Sequence, residues 1–152
     1  DVNFLGFEIH RHLCLSLARK IYKAEASNLR IIYEDVRRSM PSLLADHSLR
    51  RVSVLFPDPW WKRRHIKRRI LNSEFLDLMA QKLADGGLLQ IKTDVMPYAE
   101  QIEEIFLEDT RYERVGEEQA VAFQDDRPTE REAFCLEKEI PFKEFLYTLK
   151  KN

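Results

Sequence analysis

A repeated order of short apolar runs, each closed by an acid and separated by segments of helical period, constrains this chain more than any other feature. Phe4–Ile9 is the first run and carries Glu8 near its end. Leu29–Tyr33 is the second, followed by Glu34 and Asp35. Val52–Phe56 is the third, stopped by Pro57-Asp58-Pro59 because proline lacks a ladder donor. Leu88–Lys92 is the fourth and closes on Thr93-Asp94. Between the first two runs, Leu13, Cys14, Leu17, Ala18 and Ile21 recur at helical spacing. A shorter helix is expected over Val36–Leu44. Behind the caps Asn72 and Ser73, Phe75, Leu76, Met79 and Leu83 share one helical face, and Gly86-Gly87 is expected to end that helix. Pro97 suits the first turn of a helix with the face Tyr98, Ile102, Ile105 and Phe106. Tyr112–Glu117 and the stretch holding Phe142, Phe145, Tyr147 and Leu149 read as two further strands.

Strand and helix alternate, and several strands are apolar throughout. This predicts an α/β fold with a mostly parallel sheet and helices on both faces. Ligands of such sheets bind beyond the carboxyl ends of the strands. Glu8, Asp35, Asp58 and Asp94 would then line one rim. A carboxylate after a strand also commonly caps the next helix or forms a turn, so each acid has a structural reading as well. Glu8 is placed to accept both hydroxyls of a ribose, and Asp35 to meet an adenine amino group. Neither role needs a phosphate, and the 4 glycines form no G-x-G turn. A nucleoside ligand without pyrophosphate fits that pattern.

The chain has 152 residues, the length of one ordinary domain. Its formal net charge is -1, so overall charge does not direct it to a polyanion. Charge distribution does: Lys62, Arg63, Arg64, Lys67, Arg68 and Arg69 fall in one acid-free stretch. Cys14 and Cys135 stand apart and support neither a disulfide framework nor a zinc site. His10 and His12 read as an incidental pair and His65 as part of the basic surface, so no metal is expected. No apolar run approaches the roughly 20 residues that cross a bilayer, and a cytoplasmic location is expected.

The sharpest motif is Phe56-Pro57-Asp58-Pro59-Trp60-Trp61-Lys62-Arg63-Arg64-His65-Ile66-Lys67-Arg68-Arg69. Two prolines stiffen the backbone around an acid. Trp60 and Trp61 offer flat faces on which a base can stack. The cations that follow can hold phosphates. The bland alternative is a solvated basic loop with a tryptophan tucked into the core.

This motif is very similar to the signature of the bacterial tRNA (guanine-N7-)-methyltransferases, which modify the variable-loop guanosine at position 46 with S-adenosylmethionine. Asn3–His10 resembles that family's acid-tipped second strand. Leu89–Ala99 resembles the segment after the signature, and Arg127–Glu132 resembles its Thr-x-x-Glu element. The resemblance implies a Rossmann-like class I methyltransferase, with residues 1–152 as a single domain. It implies that Glu8, Asp35 and Asp58 contact S-adenosylmethionine. It implies that Lys62, Asp94, Thr129 and Glu132 contact the substrate nucleotide, and that Arg63, Arg64, Lys67, Arg68 and Arg69 meet the tRNA backbone. Asp58 is the expected catalytic residue. The family's opening strand and glycine-rich loop have no counterpart here, so the chain is expected to be N-terminally incomplete. Residues 133–140, which hold no glycine, stand where the family has a glycine-rich stretch.

Three other readings remain at this level. A tRNA-binding module without activity keeps the fold and drops the chemistry. An exocyclic-amine RNA methyltransferase would more often carry Asp-Pro-Pro-aromatic than the Pro-Asp-Pro-Trp found here. A non-enzymatic structural protein leaves the four acids unexplained. Monomer and homodimer both remain open.

Overall fold

A computed structural model describes residues 2–116, 120 and 127–150. The chain divides into two compact units, Asp1–Ala45 and Asp46–Asn152.

The first unit runs β1 (Phe4–Glu8), α1 (Arg11–Lys23), β2 (Leu29–Tyr33) and α2 (Val36–Leu43). β1 and β2 pair in parallel, from Phe4 opposite Leu29 to Glu8 opposite Tyr33. Parallel neighbours need a crossover, which α1 supplies. Lys20 and Lys23 in its last turn face the negative end of the helix dipole. α2 starts at Asp35, whose carboxylate accepts the Arg37 N–H at 3.0 Å. Pro41 lies inside α2, and the helix closes two residues later.

The second unit contains β3 (Leu49–Leu55), a 3-10 helix (Arg63–Arg68), α3 (Ser73–Lys82), β4 (Leu83–Thr93) and α4 (Met96–Glu108). It continues with β5 (Tyr112–Arg114), a helix here called α5 (Glu130–Glu137) and β6 (Lys143–Leu149). The strand order is β3-β4-β6-β5. β3 and β4 are parallel, whereas β6 runs antiparallel to both β4 and β5. Parallel pairing holds for β1-β2 and for β3-β4, but these pairs lie in a two-stranded and a four-stranded sheet instead of one. Glu8 and Asp35 therefore belong to one sheet and Asp58 and Asp94 to the other, while β6 and β5 give the larger sheet an antiparallel end. β5 ends at Arg114, earlier than expected, and Glu117 lies outside the described residues.

Two sequence readings need correction. Gly86-Gly87 does not end α3. The helix stops at Lys82, and the glycines sit inside β4, where its register with β3 shifts between Leu49 and Arg51. Gly86 has φ 72°, and a Cβ on Gly87 would lie 2.7 Å from the Ala84 carbonyl, so this irregularity needs glycine at both positions. The second correction is α5, which helical periodicity did not announce. Its signal is local: Thr129 and Glu132 form a capping box, with the Thr129 hydroxyl accepting the Glu132 N–H and the Glu132 carboxylate accepting the Thr129 N–H.

The core of this unit joins Phe75, Leu76 and Met79 of α3, Tyr98, Ala99 and Ile102 of α4, Leu89 and Ile91 of β4, and Phe145 of β6, all essentially inaccessible to solvent. Phe106 stacks on Tyr147 with centroids 3.7 Å apart, and the Tyr112 hydroxyl donates to the Leu76 carbonyl at 2.6 Å. The opposite face of β4 buries two polar groups, Gln90 and Lys92. Gln90 accepts from Arg51 and Ser53 and donates to Glu144, so its burial is satisfied.

Candidate active site

Within the second unit, Leu55 pairs with Lys92 at the carboxyl ends of β3 and β4. Asp58 and Asp94 therefore leave parallel neighbours at the same end. The Phe56 N–H donates to the Lys92 carbonyl at 2.8 Å, which carries the pairing one residue further before the prolines end it. Phe56 and Trp60 both have left-handed backbones, with φ 50° and 45°. Neither is glycine, and Phe56 also precedes a proline. Such conformations cost energy and concentrate at functional loops. Among the described residues nothing bonds to the Asp58 carboxylate, and the residue is exposed. It is available to a ligand.

The basic segment beyond it forms the 3-10 helix. Lys62, Arg63, Arg64, Lys67 and Arg68 are exposed. Arg68 lies 5.1 Å over the Trp60 ring and His65 meets that ring edge-on at 5.7 Å, so Trp60 is half-buried between two cationic or polar neighbours. Trp61 remains 67% exposed. Arg69 departs from the expectation. It is buried and turned inward, with its Nε donating to the Pro59 carbonyl at 2.6 Å and its guanidinium 4.6 Å over the Tyr98 ring. A side chain committed in this way is not part of an exposed cationic surface.

The other half of the site is built by α5 docking on the end of β4. Lys92, at 4% exposure, donates to Glu132 Oε1 at 2.6 Å, and Glu132 itself is 7% exposed. Burial pushes the Glu132 carboxyl up, but the bonds from Lys92 and Thr129 outweigh it and hold the group below its ordinary range. Asp94 Oδ2 accepts from Arg131, and the Cys135 thiol lies 4.0 Å away. Lys92, Asp94, Thr129, Arg131 and Glu132 thus form one cluster. Sequence reading found three of the five. Lys92 and Arg131 were missed because both face a partner that only folding supplies. Glu132 has both oxygens occupied, by Lys92 and by the Thr129 N–H, whereas Asp94 keeps Oδ1 without a partner among the described residues.

In the first unit, Glu8 closes β1 opposite Tyr33, and Asp35 stands two residues beyond the end of β2. Glu8 is half-buried and accepts the His10 N–H through Oε1 at 2.7 Å, leaving Oε2 open. Asp35 caps α2 and also holds Arg37 in a bidentate pair at 3.0 and 2.7 Å. That hydrogen-bonded guanidinium keeps its carboxyl below the usual range. The capping reading of Asp35 is therefore realised, and its two oxygens are less free than those of Glu8. Among the described residues no group of three or more His, Cys, Asp or Glu is placed to hold a metal, and no helix is long and apolar enough to cross a membrane.

Residues 1–144 match the family described as "Putative methyltransferase". The chain belongs to that family. Members named tRNA (guanine-N(7)-)-methyltransferase are similar to it. The protein of Francisella tularensis subsp. novicida is 36% identical over 110 residues, covering 72% of this chain and 48% of the relative. That of Buchnera aphidicola is 43% identical over 100 residues, or 66% of this chain and 41% of the relative. This methyltransferase-family chain spans about half the length of the curated relatives it matches. Among solved structures, the tRNA (m1A58) methyltransferase TrmI of Aquifex aeolicus superposes with TM-score 0.60 at 10% identity, over 99% of this chain and 54% of that one. A methyltransferase of Streptococcus mutans, solved in complex with SAH, gives TM-score 0.57 at 8% identity, over 97% and 76%. The fold is that of the class I methyltransferases, as the alternation of elements and the motif resemblance predicted.

Proposed function

We propose that this chain is part of an enzyme that transfers a methyl group from S-adenosylmethionine to N7 of a guanine in tRNA, position 46 by resemblance. The carrying observation is the strained Pro57-Asp58-Pro59-Trp60 loop, which presents an unpartnered carboxylate beside a stacking ring and an exposed cationic helix. The names of the relatives support the same substrate class. The family match runs across both units, which supports reading residues 1–152 as one functional domain.

The cofactor's chemistry is that of a sulfonium methyl donor. Each donor group has chemistry suited to a neutral-sugar, amino-bearing nucleoside: in the first unit Glu8 keeps an open oxygen and Asp35 retains acceptor lone pairs beside Arg37, and in the second Asp58 is free. Glu8, Asp35 and Asp58 are the proposed contacts. Guanine N7 carries a lone pair and no proton, so no strong base is required of the protein. The work of these residues is alignment and exclusion of water, which can supply roughly 7–11 kcal/mol in favourable cases. Methylation leaves positive charge on the purine. The Asp58 carboxylate is placed to stabilise that charge as it develops. Asp94 accepts from the guanine N1 and N2 donors through its open Oδ1. Glu132 is assigned to hold Lys92 and the Thr129 turn in place, and the Thr129 hydroxyl can donate to the nucleotide. Lys62 and the exposed cations Arg63, Arg64, Lys67 and Arg68 meet phosphates, while Trp60 and Trp61 offer faces to a base drawn from its stack.

Single-turnover methyl transfer to unmodified tRNA tests this reading, with the product nucleoside separated by chromatography. N7-methylguanosine is expected. Asp58→Asn is expected to slow the step about 100-fold, in the range of lost transition-state charge stabilisation. N2-methylguanosine as product would establish the exocyclic-amine alternative, and an unaltered rate in Asp58→Asn would remove the role given to that carboxylate.

A further inference from the structure

Arg69 is the last cation of the basic motif and differs from the others in its burial and in its hydrogen-bond partners. It is 9% exposed, while the cations from Lys62 to Arg68 are exposed. Its acceptors are neutral: the Pro59 carbonyl through Nε at 2.6 Å and the Gln101 side-chain oxygen through Nη1. Among the described residues it has no carboxylate partner. A buried guanidinium without a counter-ion is costly unless its bonds are well made. Here the Tyr98 ring supplies a cation–π face at 4.6 Å, and Tyr98 is fixed in the core with its hydroxyl accepting the Leu71 N–H at 3.3 Å. The Arg69 carbonyl accepts from Asn72, the residue that caps α3. Arg69 is therefore anchored at both ends to packed helices.

What it holds is the loop. Among the described residues, the bond from Arg69 to the Pro59 carbonyl is the one hydrogen bond made by any residue from Pro57 to Trp61. That carbonyl belongs to the peptide unit joining Pro59, the neighbour of Asp58, to left-handed Trp60. Strained backbone persists only when its surroundings over-determine it. We propose that Arg69 is a positioning residue, which clamps the Pro59 carbonyl to α4 and thereby fixes the Asp58 carboxylate and the Trp60 ring for methyl transfer. This rests on the functional reading above for its catalytic half. Its structural half stands alone.

The two tryptophans of the chain, Trp60 and Trp61, both lie in this loop, so intrinsic fluorescence reports its state directly. Arg69→Met in the intact protein is expected to raise quenching of tryptophan by acrylamide. It is expected to cut the single-turnover rate about tenfold to 100-fold, as a misplacement near 1 Å can do. The Kd for tRNA should stay within about twofold with an unchanged salt slope, since no phosphate contact is lost. Arg69→Lys, which keeps one bond to the carbonyl, should recover part of both readouts. If Arg69→Met does not fold, Gln101→Leu removes the second anchor without altering charge. It should raise quenching and slow transfer in the same direction.

Unchanged quenching and rate in the folded variants would overturn the proposal. A weakened Kd with the salt slope reduced by about one would overturn it differently, by making Arg69 a phosphate contact. If the wild-type protein methylates no tRNA, the functional reading fails. The quenching contrast then still decides whether Arg69 clamps the loop.

Discussion

Unit 1 and unit 2 each hold a parallel strand pair joined through a helix, yet they bury very different amounts of apolar surface. Among the described residues of Asp1–Ala45, Cys14 and Met40 are the buried apolar side chains, while Phe4, Leu5, Ile9, Leu13, Leu15 and Tyr22 are exposed. In Asp46–Asn152 the strands β4 and β6 and the helices α3 and α4 share a core with Tyr98, Phe75, Met79 and Ile91 at its centre. A two-stranded sheet is marginal by itself, and parallel strands want cover on both faces. Four strands and a packed helical layer meet that need in unit 2.

The comparison is tested most strongly by hydrogen exchange on the intact chain. Backbone amides of β1 and β2 are expected to exchange at least roughly 100-fold faster than those of β4, because opening unit 1 exposes little that is buried. Equal protection in the two units would break the contrast. An effect of at least similar size is expected at Lys92. Lys92→Met leaves Glu132 buried without its cation, which should cost about 3–5 kcal/mol in a denaturation experiment. A loss under about 1 kcal/mol would mean that α5 does not depend on the pair. Below that, Ile91→Ala should cost about 2–5 kcal/mol, whereas Tyr22→Ala, at a position 85% exposed, should stay within about 0.5 kcal/mol. Similar values for the two would contradict the burial difference.

The same comparison explains what could be read from the sequence. The apolar runs and helical faces located the early strands and α-helices; in unit 2 that periodic trace is burial, whereas in unit 1 Leu13 and Leu17 of the same helical face stay exposed. The Pro57-Asp58-Pro59-Trp60 loop was legible because prolines, tryptophans and a charge run are rare neighbours. What escaped depended on partners far along the chain. Gly86-Gly87 reads as a helix stop by local rules, yet the register with Leu49 places it inside a strand. Arg69 is indistinguishable in sequence from Arg68 beside it. Only the approach of Gln101 and Tyr98 from α4 turns it inward. Lys92 gives no local sign that Glu132, 40 residues away, will neutralise it.

Asp35 gives a smaller expected effect than Lys92 or Ile91 and the finest test of unit 1. Its carboxylate is the N-cap of α2 and the partner of Arg37, and the hydrogen bond from Arg37 is the leading cause of its lowered pKa. Asp35→Ala should cost about 1 kcal/mol, the usual value of a lost cap, read as faster exchange of the first-turn amides of α2. Asp35→Asn keeps a capping oxygen and removes the charge, so its loss should be smaller. The native pKa lies below the unfolded one, so the charge contributes fully above the ordinary carboxylate range near 3.9. As pH falls through the lowered native value, the carboxylate is protonated and the contribution disappears. The difference between wild type and Asp35→Asn should therefore be full at neutral pH and close in acid. A gap that widened in acid would reverse that sign and remove the Arg37 pair as its cause.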